Sequence, residues 1–153
     1  MNGIFKDSNV LADYVAYRCA RVHTTPVTNL QLQKMLFFMN YFYLCACSTH
    51  LFQEDFEAWK YGPVLPSVHK NYKNVGGFWI IPSNEPKSLN SNDVDIKFID
   101  ESIEWLLKIP AYQLVNESHR EGQSWSKNYQ EGKNIKIPKS DIEQDVKDRK
   151  YFL

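Results

Sequence analysis

The feature that most constrains this chain is the run from Thr28 to Cys47. It opens on Thr28-Asn29-Leu30-Gln31, a capping-box pattern. In that motif the Thr28 hydroxyl accepts from the Gln31 amide and the Gln31 side chain reaches back to Thr28. The first turns are amphipathic, with Leu32, Met35, Leu36 and Met39, and the second half, Tyr41-Phe42-Tyr43-Leu44-Cys45-Ala46-Cys47, is apolar on every side. A helix apolar all round is a buried one. The apolar stretch Met35–Cys47 is interrupted by Asn40 and is shorter than the ~20 residues a membrane span needs. It predicts a central core helix over about 29–47 and no membrane association.

Other elements must cover that helix. Val10, Leu11, Tyr14, Val15, Cys19 and Val22 form one apolar stripe over 9–23, with Ser8 as the expected cap and Thr24-Thr25-Pro26 as the stop. Ile99, Ile103, Leu106 and Leu107 predict a helix ending at Pro110, and Tyr112, Leu114, Val115 and Ser118 another ending near Gly122. Ser140-Asp141-Ile142-Glu143 is a second capping box, expected to open a short charged helix. Between these, residues 51–61 mix Phe52, Phe56, Trp59 and Tyr61 with charged residues and predict a short β-hairpin-like insertion turning at Glu54-Asp55. Pro66 suits the first position of a short helix through Val68, His69 and Tyr72 that stops at Gly76-Gly77. Phe78–Ile81 reads as a brief strand and 82–95 as a mobile loop. With no internal repeat and no long linker, the expectation is a mainly α fold, a single compact helical domain over 1–153. A chain of this length buries ~68–70% of its unfolded surface, so no disulfide or metal is needed for a core.

Charge and reactive groups narrow the function. Lys plus Arg and Asp plus Glu are 18 each. That balance argues against a dedicated nucleic-acid binder, which carries a basic surplus. The odd set Cys19, Cys45 and Cys47, without a signal peptide, fits a reducing cytoplasm and buried, inert thiols. His23, His50, His69 and His119 show no ligand spacing, so no metal is expected. Gly76-Gly77 lacks the Lys-Ser/Thr of a phosphate loop, and no cofactor is implied.

Three blocks stand out: Leu30–Phe38, Glu57–Val68 and Glu117–Trp125. The first is a capped helix start whose Gln33 and Lys34 either belong to the helix surface or reach toward a partner. The second holds Trp59, Tyr61, Pro63, Val64 and Pro66. Rigid aromatics beside prolines mark either a core corner or a binding anchor. If one segment touches a partner, Trp59–Pro66 is the expected one. The third places Ser118, His119 and Glu121 close together, which invites a catalytic reading. Adjacent helical side chains diverge, however, and a nucleophile needs its base within hydrogen-bond reach. The expectation is no enzyme and a buried His119 bonded to backbone or to a Glu.

In this order and at these intervals the blocks resemble the Panacea domain, the family that includes the SocA-type antitoxins. Its early Leu-x-Leu-Gln-Lys-Leu helix corresponds to Leu30–Leu36, with Leu32, Gln33 and Lys34. Its Glu-x-Trp-x-Tyr-Gly-Pro-Val-x-Pro segment corresponds to Glu57–Pro66, including Gly62. Its Ser/Thr-His-x-Glu…Trp block corresponds to Ser118–Trp125, with His119, Glu121 and Trp125. Met35 stands where Leu is usual, and Gln123-Ser124 where Pro is frequent. The resemblance implies a mainly α-helical antitoxin that neutralises a protein toxin encoded beside it. Neutralisation is by direct protein–protein binding or, alternatively, by delivery of the toxin to a ClpXP-type protease. A helical nucleic-acid-binding regulator is a further alternative. The last residues, Lys150-Tyr151-Phe152-Leu153, read as an exposed apolar tail that a protease could recognise.

Overall fold

In the computed structural model, which describes residues 3–153, helix α2 spans Asn29–Cys47 and forms the axis of the molecule. Helices α1 (Ser8–Tyr17), α3 (Pro66–Tyr72), α4 (Ile96–Leu107), α5 (Ala111–Ser118) and α7 (Lys139–Asp148) all pack on it. The short α6 (Ser124–Asn128) bridges α7 and the sheet. The fold is mainly α, as expected. Thr28 takes an extended backbone and its Oγ1 accepts from the Gln31 amide at 3.2 Å, so the cap of the first box forms.

Burial along α2 runs opposite to the expected order. Residues 32–41 are buried on every side, whereas the helix emerges at its far end, where Ala46 and Cys47 are exposed. The helix enters through the middle of the structure and leaves at the surface. Of the three thiols only Cys19 is therefore buried; Cys45 is partly covered and Cys47 is open to solvent. Asn40 interrupts the apolar run for a reason. Its Oδ1 accepts from the Leu51 amide at 2.7 Å and its Nδ2 meets His50 Nδ1 at 3.2 Å. His50 Nε2 in turn meets Glu143 Oε2 at 2.9 Å, which ties α7 to the core helix.

The first helix is capped by Asp7, whose Oδ1 accepts from the Asn9 amide at 2.9 Å, and not by Ser8. Ser8 is buried and donates to Glu54 Oε1 at 2.6 Å. Glu54 also accepts from the Ser67 amide at 2.9 Å, placing a carboxylate at the N-terminus of α3, where the helix dipole favours it. That engagement displaces the expected turn. The hairpin lies further on, as β1 (Glu57–Trp59) and β2 (Gly62–Val64), antiparallel, with Trp59 opposite Gly62 and Lys60-Tyr61 at the tip. Strand β3 (Ile135–Lys136) completes a sheet of order β2-β1-β3. Helix α1 continues into a π-helical turn, Arg18–Val22.

Two further expectations give way. Residues 78–81 form no strand: only Ile80 is buried, with its amide on the Val27 carbonyl at 2.8 Å, while Phe78 is 80% exposed. Ser140 lies inside the first turn of α7, which starts at Lys139 after Pro138, so the second capping box does not form. The last residues fold back as well. Tyr151 and Phe152 pack edge-on against Phe38 at ring separations of 5.2 and 4.8 Å, leaving only Leu153 as an exposed apolar end. No helix among the described residues is long and apolar enough to cross a membrane.

Candidate partner-binding groove

The three sequence blocks meet at the hairpin. Gln33 and Lys34 are buried and do not reach outward. Their partners are backbone atoms of β2 and the residue after it. Gln33 Oε1 accepts from the Leu65 amide at 2.8 Å while its Nε2 donates to the Leu65 carbonyl at 3.4 Å. Lys34 Nζ donates to the Pro63 carbonyl at 2.9 Å. The ammonium lies wholly inside the protein, and burial pulls its pKa down to about 7.

Gly62 lets these chains approach. Its φ of +118° suits glycine, and a Cβ there would stand 2.5 Å from Lys34 Cε and 2.7 Å from Ser118 Oγ. The third block closes the arrangement. Trp125 Nε1 donates to the Trp59 carbonyl at 2.7 Å, and His119 stacks on Trp125 at 3.8 Å with the rings 5° from parallel. His119 is half-buried where full burial was expected, and of the two partners expected, backbone or a Glu, no Glu is bonded; its Nε2 is buried without a hydrogen-bond partner. Burial, then the nearby Lys34 charge, push its pKa below the ordinary imidazole value, while the Tyr61 backbone acts the other way. Ser118 Oγ donates to the Val115 carbonyl at 2.8 Å, and Glu121 is exposed. Ser118, His119 and Glu121 are thus not joined by hydrogen bonds among themselves.

Above this frame lies a groove of about 400 Å³ lined in part by Leu30, Trp59, Lys60, Tyr61, Val64 and His69. Tyr61 at the hairpin tip is 58% exposed, with Lys60 Nζ 5.5 Å from its ring centroid. Trp59 is partly buried and its Nε1 donates to Glu57 Oε1 at 2.9 Å. Of the other residues expected to touch a partner, Pro63 and Val64 are buried, with Val64 in the groove wall, and Pro66 is partly covered at the start of α3. Leu32, Gln33, Lys34, Gly62 and Trp125 are buried beneath.

Sequence reasoning missed Asn29, Lys60 and His69. Asn29 looked like part of the cap, yet its side chain lines the groove and its buried Oδ1 has no hydrogen-bond partner. His69 lies on the groove face of α3, packed against Trp59 at 4.8 Å, a position set by tertiary packing alone.

Comparison with known proteins fits this convergence of motifs. The model of the Antitoxin SocA-like, Panacea domain family matches residues 32–126, which takes in all the contacts of the buried frame. Antitoxin SocA of Caulobacter vibrioides (strain NA1000 / CB15N) is 33% identical over a 132-residue alignment that covers 78% of this chain and 68% of that relative. No solved structure matches. The chain belongs to the SocA-like antitoxin family, defined by the Panacea domain.

Proposed function

We propose that this protein neutralises a cognate protein toxin by direct protein–protein binding, without catalysis, in a reducing cytoplasm. Membership of an antitoxin family supports the toxin partner. The observation that carries the binding mechanism is the division between frame and tip. Buried polar clamps from Gln33, Lys34 and Trp125 hold backbone atoms of residues 59–65, and the rigid corner they hold presents Trp59 and exposed Tyr61. Preorganised aromatics of this kind lose little conformational entropy on binding.

The test is co-expression with the product of the neighbouring gene. That product should arrest growth alone and be harmless with this protein. A product harmless alone, or toxic in its presence, ends the proposal. Delivery to a ClpXP-type protease has less support, since the apolar tail that suggested it is packed into the aromatic core. Toxin half-life separates the two mechanisms: a binder leaves it unchanged or longer, and an adaptor shortens it.

A further inference from the structure

The densest run of exposed apolar side chains follows Gly76-Gly77. Phe78, Trp79 and Ile81 are 80%, 57% and 60% exposed. Together they show on the order of 400 Å² to solvent, a size at which a patch on a monomer marks an interaction site. No residue from 74 to 84 is charged, so the run lacks the Lys or Glu that guards an exposed strand. The backbone is open too, and in one direction only. The chain passes through residues 79–82 without turn or bend. Ile80 and Pro82 face the body of the protein: the Ile80 amide donates to the Val27 carbonyl at 2.8 Å, and the Pro82 carbonyl accepts from Arg21 Nε at 3.0 Å and Nη2 at 2.9 Å. In an extended chain the polar groups of the intervening residues point the opposite way. Among the described residues, neither the amide nor the carbonyl of Trp79 or Ile81 has a hydrogen-bond partner. These two residues form an unpaired strand edge. Pro82 falls on the inner side, where its missing N–H leaves that edge intact.

We infer that this edge pairs with the same edge of a second copy of the chain, antiparallel about a two-fold axis at Ile80. In that register Trp79 of one copy stands opposite Ile81 of the other, and symmetry repeats the pair. Each pair exchanges both of its N–H···O=C bonds, which leaves no free backbone group on the edge. An aromatic side chain against a β-branched one is a favourable cross-strand pair. A second copy fits better than an unrelated strand, because the register completes itself. An uncharged run also neither repels its own copy nor offers a charge for another partner to match. The turn at Gly76-Gly77 and the bend at Ser83-Asn84 confine the pairing to the few residues between them. Two such patches cover on the order of 800 Å², below the ~1,200 Å² of a stable complex, so the dimer is weak and reversible, with a Kd of about 10–100 μM. The pairing also accounts for a run that reads as a strand in the sequence and forms none in the single chain.

The experiment uses the purified full chain alone, so it stands or falls independently of the toxin. Sedimentation equilibrium from about 1 to about 300 μM should show the mass rise to twice that of the monomer and stop there. Trp79→Lys combined with Ile81→Lys should stay monomeric throughout, with the melting temperature of the dilute chain unchanged because both side chains are exposed. Ile81→Pro keeps an apolar side chain but removes an edge N–H, and should weaken dimerisation about tenfold or more. Amide exchange reads the register. The Trp79 and Ile81 amides should exchange fast in the dilute chain and slow as concentration rises, while the Ile80 amide, already on Val27, does not change. A wild-type chain still monomeric at about 300 μM overturns the proposal. So does a mass that climbs past twice the monomer, or lysine and proline variants that dimerise like wild type. A monomeric chain whose edge variants instead lose capture of the neighbouring gene product overturns it as well, and assigns the edge to that partner.

Discussion

Two apolar grooves of nearly equal size mark this molecule, and size does not tell them apart. One, of about 400 Å³, lies at the hairpin; the other, of about 430 Å³, is lined by Phe42, Phe98, Glu101, Ser102, Trp105, Tyr151 and Phe152. Both contain an exposed aromatic, Tyr61 in the first and Trp105 in the second. The difference is what their walls leave unsatisfied. In the second, the rings pack on one another: Phe42 with Trp105 at 5.4 Å and Trp105 with Phe152 at 5.1 Å, all edge-on. Its backbone is closed too, since the Phe152 amide donates to Glu117 Oε1 at 2.7 Å. It is a dip in a finished aromatic cluster. The first groove overlies a rigid polar frame and has Asn29 in its wall, whose buried Oδ1 finds no hydrogen-bond partner. Apolar area alone would have ranked them as equals.

Four measurements test this contrast. The largest effect belongs to Gly62→Ala under the first groove. A Cβ collides with Lys34 and Ser118 at a backbone angle that disfavours side chains, and we expect a loss of about 4 kcal/mol in urea unfolding. A loss below about 1 kcal/mol would mean the frame is not rigid. Next is Asp145→Ala beneath the second. Asp145 accepts from the Ser124 amide at 2.9 Å, from the Ser124 hydroxyl, and from Tyr151 at 3.0 Å. Unpairing these buried donors should cost about 3 kcal/mol and free the chain's last residues. Toxin neutralisation should persist at temperatures where the variant stays folded.

The third measurement is a pH profile. Burial holds Lys34 at about 7, far below an unfolded lysine at about 10.4. Above pH 7 the unfolded chain therefore binds one proton more than the folded chain, and stability from this group rises with pH. Its slope approaches about 1.4 kcal/mol per pH unit. The buried Cys19 thiol, raised to about 12, acts in the opposite direction above about pH 8.5. The Lys34 contribution is accordingly read as the difference between wild type and Lys34→Met, which should grow from pH 7 to 10. A difference independent of pH would mean that Lys34 stays charged inside. The smallest effect is Trp105→Ala, about 1 kcal/mol of stability for a side chain that is 45% exposed. A larger cost, or lost neutralisation, would make the second groove the functional one.

Much of the fold was legible because it rests on local rules. The Thr28 cap, the proline start of α3 and the periodicity of α4 depend on neighbours within a turn or two. The candidate site was legible as a motif and illegible as geometry. Gln33 and Lys34 look like the polar face of an amphipathic helix. Their burial depends on carbonyls and an amide about thirty residues away, which no periodicity encodes. Ser8 and Glu54 misled for the same reason: each fits a local cap or turn, and each is taken by a distant partner. The tail misled because Tyr151 and Phe152 read as apolar residues at the end of a chain, with nothing local to show that Phe38 awaits them.

The clamp on the hairpin grips main-chain atoms. Gln33 holds the amide and carbonyl of Leu65, Lys34 the carbonyl of Pro63, and Trp125 the carbonyl of Trp59. Side chains at Lys60 and Tyr61 therefore carry little of the folding load and can be exchanged without loosening what supports them. The architecture separates the part of the molecule that must stay the same to fold from the part that can be rewritten to meet a different surface. A library randomised at Leu30, Lys60 and Tyr61 would retain the frame while sampling new recognition tips.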